Sequence, residues 1–95
     1  MRLAPRTDAN QREIVEALRQ VGASVTILAG VGQGVPDLLA AHPQARPPSQ
    51  NWLFEVKVGQ GGLTEDEIEW HRQWPGQKAV IYSAEDALRI MGLIR

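Results

Sequence analysis

Residues 34–39, GVPDLL, and residues 52–58, WLFEVKV, decide how this chain is read. Both are apolar, strand-like runs, yet the first carries Asp37 and the second carries Glu55 and Lys57. An unpaired charge taken out of water costs several kcal/mol, so charges in such runs must be paired, hydrogen-bonded or bound to a metal. Side chains alternate along a strand, which puts Leu53, Glu55 and Lys57 on one face and Trp52, Phe54, Val56 and Val58 on the other. Glu55 and Lys57 are then neighbours, about 7 Å apart at Cα. Asp37 follows Pro36 at the start of the preceding strand. An antiparallel pairing of the two strands would let two carboxylates and an ammonium converge.

The flanking sequence supplies the elements around these strands. Ile14, Val15, Ala17, Leu18 and Val21 recur at helical spacing over 8–21, with Thr7 or Asp8 as N-cap and Gly22 as terminator. Asn10 falls within that apolar stripe, so its inward amide needs a partner. SVTILA at 24–29 is a short β-branched strand. After the turn GVGQG, VPDLLA at 35–40 is a second strand with Pro36 at its start, where a missing N–H is tolerated. HPQARPPSQ at 42–50 holds three prolines and reads as a loop to the third strand, NWLFEVKV at 51–58. Thr64 and Glu67 form a capping box, with Leu63 and Ile68 as a hydrophobic staple, opening a helix over LTEDEIEWHRQW. KAVIYS at 78–83 reads as a buried strand, and Ser83 caps a last helix through AEDALRIMGLI. The expected order is α-β-β-β-α-β-α, an α/β domain with a mixed four-stranded sheet flanked by helices.

Composition bounds the answer further. Ninety-five residues, 43% hydrophobic and 22% charged, fit one globular domain over 1–95 and exclude a disordered class. A chain of this size buries about 60% of its unfolded surface, so its own core is modest and oligomerisation would help it. The absence of cysteine removes disulfides and thiolate catalysis, and a zinc site would have only His42 and His71 as nitrogen ligands. No stretch approaches the roughly 18 apolar residues of a membrane span, and the N-terminus lacks the apolar core of a signal peptide. The expectation is a cytoplasmic protein with no membrane partner. The net charge of −1 gives no broad basic field, but four of the eleven acids fall in EDEIE at 65–69, leaving ten cations against seven acids elsewhere.

Carboxylate oxygens with positions left for water suit Mg²⁺ or Mn²⁺, which take only one or two protein carboxylates. A neighbouring lysine can orient a water and offset charge building on a phosphate. Pro36-Asp37, then seventeen residues, then Glu55-Val56-Lys57 resembles the PD-(D/E)xK nuclease superfamily. DANQREIVEALRQVGASV, GVPDLL, LFEVK and LTEDEIEWHRQW together look like its VRR-Nuc and Holliday-junction-resolvase-like branch of phages and bacteria. The resemblance covers nearly the whole chain and implies a restriction-endonuclease-like core. It implies an Mg²⁺- or Mn²⁺-dependent endonuclease acting on DNA, with branched DNA as a candidate substrate. Asp37, Glu55 and the Val56 carbonyl would bind the metal, Lys57 would position the attacking water, and Glu13 of QREIV would be an additional acid. Helical geometry puts Glu13 about 100° from the middle of the apolar stripe, at an edge facing the sheet. One departure stands out: Glu67 occupies a position where similar proteins often carry glutamine, and its capping-box role is sufficient to account for it.

Plainer readings exist for each of these residues. An acid–lysine bridge at a sheet edge is common and worth little, and by itself would explain Glu55 and Lys57. GVGQG precedes a strand and lacks GK[ST], so it is a turn that keeps space clear beside Asp37 rather than a phosphate loop. His71 reads as a solvated or capped helix histidine. Trp70 and Trp74, at i and i+4, pack rather than stack on bases. With the apolar C-terminal IMGLI, they form the exposed surface from which a homodimer is expected. The alternatives to a nuclease are a nuclease-fold DNA-binding module without turnover and a structural, dimer-forming subunit.

Overall fold

The computed structural model describes residues 6–46 and 51–95. Residues 1–5 and 47–50 lie outside the described residues, and with them the second half of the segment expected to be a proline-rich loop. The first helix, α1 (Arg6–Gln20), leads into the strands β1 (Ser24–Ile27), β2 (Leu38–Ala41) and β3 (Asn51–Val56). The helix α2 (Glu65–Gln73), the strand β4 (Lys78–Ile81) and the helix α3 (Ala84–Ile90) complete the order. The expected succession α-β-β-β-α-β-α is therefore the observed one.

The sheet runs β1-β2-β3-β4. β1 and β2 form an antiparallel hairpin, β2 pairs antiparallel with β3 (Leu38 opposite Phe54), and β3 pairs parallel with β4 (Phe54 opposite Ala79). This is the expected mixed sheet. Its core face carries Leu38, Ala40, Phe54, Val56 and Ile81, covered by Ile14, Val15 and Leu18 of α1 and by Ala87 and Met91 at the end of the chain. α2 buries no residue completely. It lies on the other face, where Trp74 borders a groove with Leu39 and Leu53.

Several boundaries differ from expectation for local reasons. α1 is already helical at Arg6, the first described residue, so Thr7 and Asp8 lie inside the helix rather than at its N-cap. Its other end follows expectation: Gly22 takes φ +94°, and the bonds from Gly22 N–H to the Arg19 carbonyl and from Ala23 N–H to the Leu18 carbonyl close the helix. Val21, just past the last turn, is 49% exposed rather than part of the apolar stripe. β2 starts at Leu38, so Pro36 and Asp37 precede the strand, although the Asp37 carbonyl still accepts from Leu28 N–H at 2.6 Å. β4 is shorter than expected because Asp86 Oδ2 takes Tyr82 N–H at 2.8 Å. As the sheet's edge strand it is half-buried at Lys78–Val80 and fully buried only at Ile81. The C-terminal IMGLI is mostly covered: Met91 is fully buried, Ile90 and Leu93 pack on the core, and Ile94 remains exposed.

Candidate functional site

The site is assembled at one end of the sheet, where the loop before β2, the end of β3 and the first turn of α2 meet. Asp37 is held by its own backbone and side chain together, since its Oδ2 accepts the Val56 N–H at 2.8 Å. That bond fastens the loop residue to β3 between Glu55 and Lys57. Glu55 is 3% exposed, and its Oε1 is buried without a partner. Burial pushes its carboxyl up to about 9, helped by a hydrogen bond to Asp37 and by the charges of Asp37 and Glu67, while Lys57 opposes the shift. In the absence of a cation, Glu55 is therefore protonated at neutral pH.

Lys57 lies one residue beyond β3, and its N–H extends the ladder to the Ile81 carbonyl at 3.0 Å. Its Nζ is 4.0 Å from Glu55 Oε2 but 2.7 Å from Glu67 Oε1. Burial works against the ammonium, but the hydrogen bond and charge of Glu67, with the charges of Glu55 and Asp37, outweigh it and raise the lysine's pKa. Burial would likewise raise Glu67, yet Lys57 and Thr64 together hold its carboxyl below the ordinary glutamate value. The capping box is present as expected, with Thr64 N–H donating to Glu67 Oε1 at 2.8 Å and Glu67 N–H to Thr64 Oγ1 at 3.3 Å. The contact with Lys57 is what sequence reasoning missed. Its signal was the short Val58–Leu63 connection, which returns the start of α2 to the end of β3.

The other expected residues are distributed differently. Glu13 is exposed beside the core-facing Ile14, Val15 and Leu18 of α1. It lines an open cleft of about 290 Å³ with Asn10, Val58, Gly59 and Tyr82. Among the described residues, no three His, Asp or Glu side chains are grouped closely enough to hold a metal together. Glu13 thus stands apart from Asp37 and Glu55. Asn10 finds the partners its position demands, donating to the Lys57 carbonyl at 3.1 Å and the Tyr82 carbonyl at 3.3 Å, so it ties α1 to the ends of β3 and β4.

His71 is half-buried rather than solvated. Its Nδ1 lies 2.9 Å from the Glu67 carbonyl, to which it donates, and its Nε2 is buried without a partner. Trp70 and Trp74 stack on each other with centroids 5.0 Å apart. Gly34, which sequence reasoning assigned to open space beside Asp37, is instead crowded. A Cβ there would lie 2.2 Å from the Asp66 carbonyl oxygen, so the loop before Asp37 rests directly on the first turn of α2.

Two carboxylates side by side, one with a buried oxygen that nothing satisfies, fit the oxygen-donor set that Mg²⁺ or Mn²⁺ takes from a protein. The Val56 carbonyl, on the residue between Glu55 and Lys57, is the neighbouring backbone donor. An orphaned carboxylate oxygen is costly unless a proton or a cation occupies it, which makes this pair unlike an ordinary surface bridge.

The mixed four-stranded sheet, with Asp37, Glu55 and Lys57 gathered at the end of its β2–β3 pair, defines a restriction-endonuclease-like fold. Within that class, the chain is similar to a solved VRR_NUC domain over 97% of its own length and 100% of the other, with a TM-score of 0.72 and 21% identity. VRR_NUC domains belong to the PD-(D/E)xK superfamily. At this identity the likeness establishes the fold. No protein-family model matches the sequence, and no curated protein does. Among the described residues, no helix is long and apolar enough to cross a membrane.

Proposed function

We propose that this chain is a nuclease that hydrolyses DNA phosphodiester bonds with Mg²⁺ or Mn²⁺. The observation that carries the reading is Glu55, a carboxyl 3% exposed, next to Asp37 and with one oxygen unpartnered. A protein that needed only structure from this position would gain from an apolar residue, since burying a charge without full satisfaction is costly. In this reading Asp37, Glu55 and the Val56 carbonyl hold the cation. The cation, when bound, supplies Lewis-acid polarisation of the phosphate and neutralises its charge. Lys57 presents its ammonium toward the attacking water and the developing phosphate charge, orienting the one and offsetting the other. Glu13, on the rim of the cleft with Asn10 and Tyr82, serves as an outer acid. The chain works as a homodimer through the α2 side of the sheet, where Trp74 is 42% and Ile68 53% exposed.

The test is incubation with linear, nicked and four-way-junction DNA in Mg²⁺ or Mn²⁺ against EDTA. Cleavage is expected only with metal. Folded Asp37→Asn and Glu55→Ala proteins should lose it, and full activity in either would remove the site from the reading. DNA binding without cleavage under every condition would instead make the chain a nuclease-fold binding module. Sedimentation at micromolar concentration checks the dimer, and a fully active monomer would refute it.

A further inference from the structure

We propose that Glu67 is a positioning residue for Lys57, and that the first turn of α2 is the frame that sets where the ammonium stands relative to Asp37 and Glu55. The inference rests on the nuclease reading of the site and deepens it. A lysine side chain is a compact charge on a flexible four-carbon stem, so its ammonium must be held if it is to orient a water. Glu55 does not hold it: at 4.0 Å the contact is too long for a hydrogen bond. Glu67 does, at 2.7 Å, with both side chains largely out of solvent.

The acceptor is itself fixed. Glu67 Oε1 is the same atom that takes the Thr64 N–H at 2.8 Å, so the capping box aims the carboxylate before Lys57 arrives. The helix turn that bears it is fixed in turn from the other side. Gly34, at φ +80°, brings its loop against the Asp66 carbonyl with no room for a Cβ, and that loop runs through Pro36 into Asp37. Asp37 is tied to β3 through Val56 N–H. α2 thus bridges the two elements that carry the site, contacting one through Asp66 and the other through Glu67. This explains how a helix without a single fully buried residue is registered against the sheet.

The experiment compares Glu67→Ala, Glu67→Gln and Thr64→Ala in single-turnover DNA cleavage across a Mg²⁺ titration. Glu67→Ala should lower the rate at saturating Mg²⁺ by about 10- to 100-fold, the scale of a misplaced reacting group. The Mg²⁺ concentration for half-maximal rate should move less than about twofold, because the cation ligands are untouched. Glu67→Gln, which keeps an acceptor oxygen and the cap, should recover most of the rate. Thr64→Ala should lower stability and leave most of the rate. A wild-type rate in Glu67→Ala would overturn the proposal, as would an equal loss in Thr64→Ala, which would trace the effect to the helix cap alone.

A second readout needs no activity and no metal. A double-mutant cycle of Lys57→Met and Glu67→Met, each of which removes the contact, read by urea unfolding in EDTA, should show coupling of about fivefold in the unfolding equilibrium constant. Additive effects would overturn the pairing, and this cycle decides if Glu67→Ala fails to fold. Wild-type protein that never cleaves DNA would defeat the nuclease reading while leaving the cycle to judge the Lys57–Glu67 link on its own.

Discussion

Glu55→Gln offers the sharpest check on the electrostatics of the site. The Glu55 carboxyl titrates near 9 in the folded, metal-free protein against an ordinary value of 4.5, chiefly because it is buried and next because it shares a hydrogen bond with Asp37. The folded state therefore holds a proton that the unfolded chain has released. Its stabilising contribution is complete below about pH 4.5 and is lost as pH rises toward 9. Within that window each pH unit costs the folded state up to about 1.4 kcal/mol. From about pH 6 to about pH 8 the ceiling is then roughly 3 kcal/mol. Relaxation of the site around the ionised carboxylate brings the expected effect to about 1 to 2 kcal/mol. For a domain of this length that corresponds to a melting shift of roughly 5 to 15 °C. Glutamine has the same shape and does not titrate, so the fixed cost of burying its amide cancels when one variant is followed across pH. Thermal melts in EDTA should show the melting temperature of Glu55→Gln gaining on wild type as pH rises. A gap between the two that stays constant across this range would refute the placement of a protonated carboxyl at Glu55. Where Mg²⁺ occupies the site, its binding should release a proton, measurable as a buffer-dependent calorimetric heat.

Substitutions at Asn10 and Gly34 test the frame around the site. Asn10→Ala should cost about 1 to 2 kcal/mol by urea unfolding, because the Lys57 and Tyr82 carbonyls lose their donor. Asn10→Asp should cost more, since it turns a carboxylate toward two carbonyl oxygens; a milder effect than alanine would contradict the amide's assigned role. Gly34→Ala should destabilise by at least about 2 kcal/mol through left-handed backbone and overlap with the Asp66 carbonyl. Gly32→Ala, at the same φ of +80° but with nothing within 4 Å, isolates the backbone part, so equal losses at the two positions would disprove the contact.

What the sequence determined by itself was the set of elements, their order and the mixed character of the sheet. Period-two alternation in WLFEVKV already implies that Phe54 and Val56 enter the core while Glu55 faces the other way, because pleating leaves a strand no other choice. The capping box at Thr64 and Glu67 and the glycine after α1 act within a few residues of chain, so their structural consequences are legible there too. Tertiary structure decided everything that depends on distances between segments remote in sequence. Glu67 reads as a cap until the fold carries α2 back to Lys57, and only then does one oxygen serve both. Glu13 lay at the edge of a helical stripe, and how far that edge is covered depends on the sheet's twist and on α3, neither of which local periodicity encodes. IMGLI looked like an exposed patch because its covering partners, α1 and the sheet, lie far away along the chain. The buried, unpartnered oxygen of Glu55 is of the same kind: the sequence can place a carboxylate in a strand, but only packing from several elements removes the water from around it.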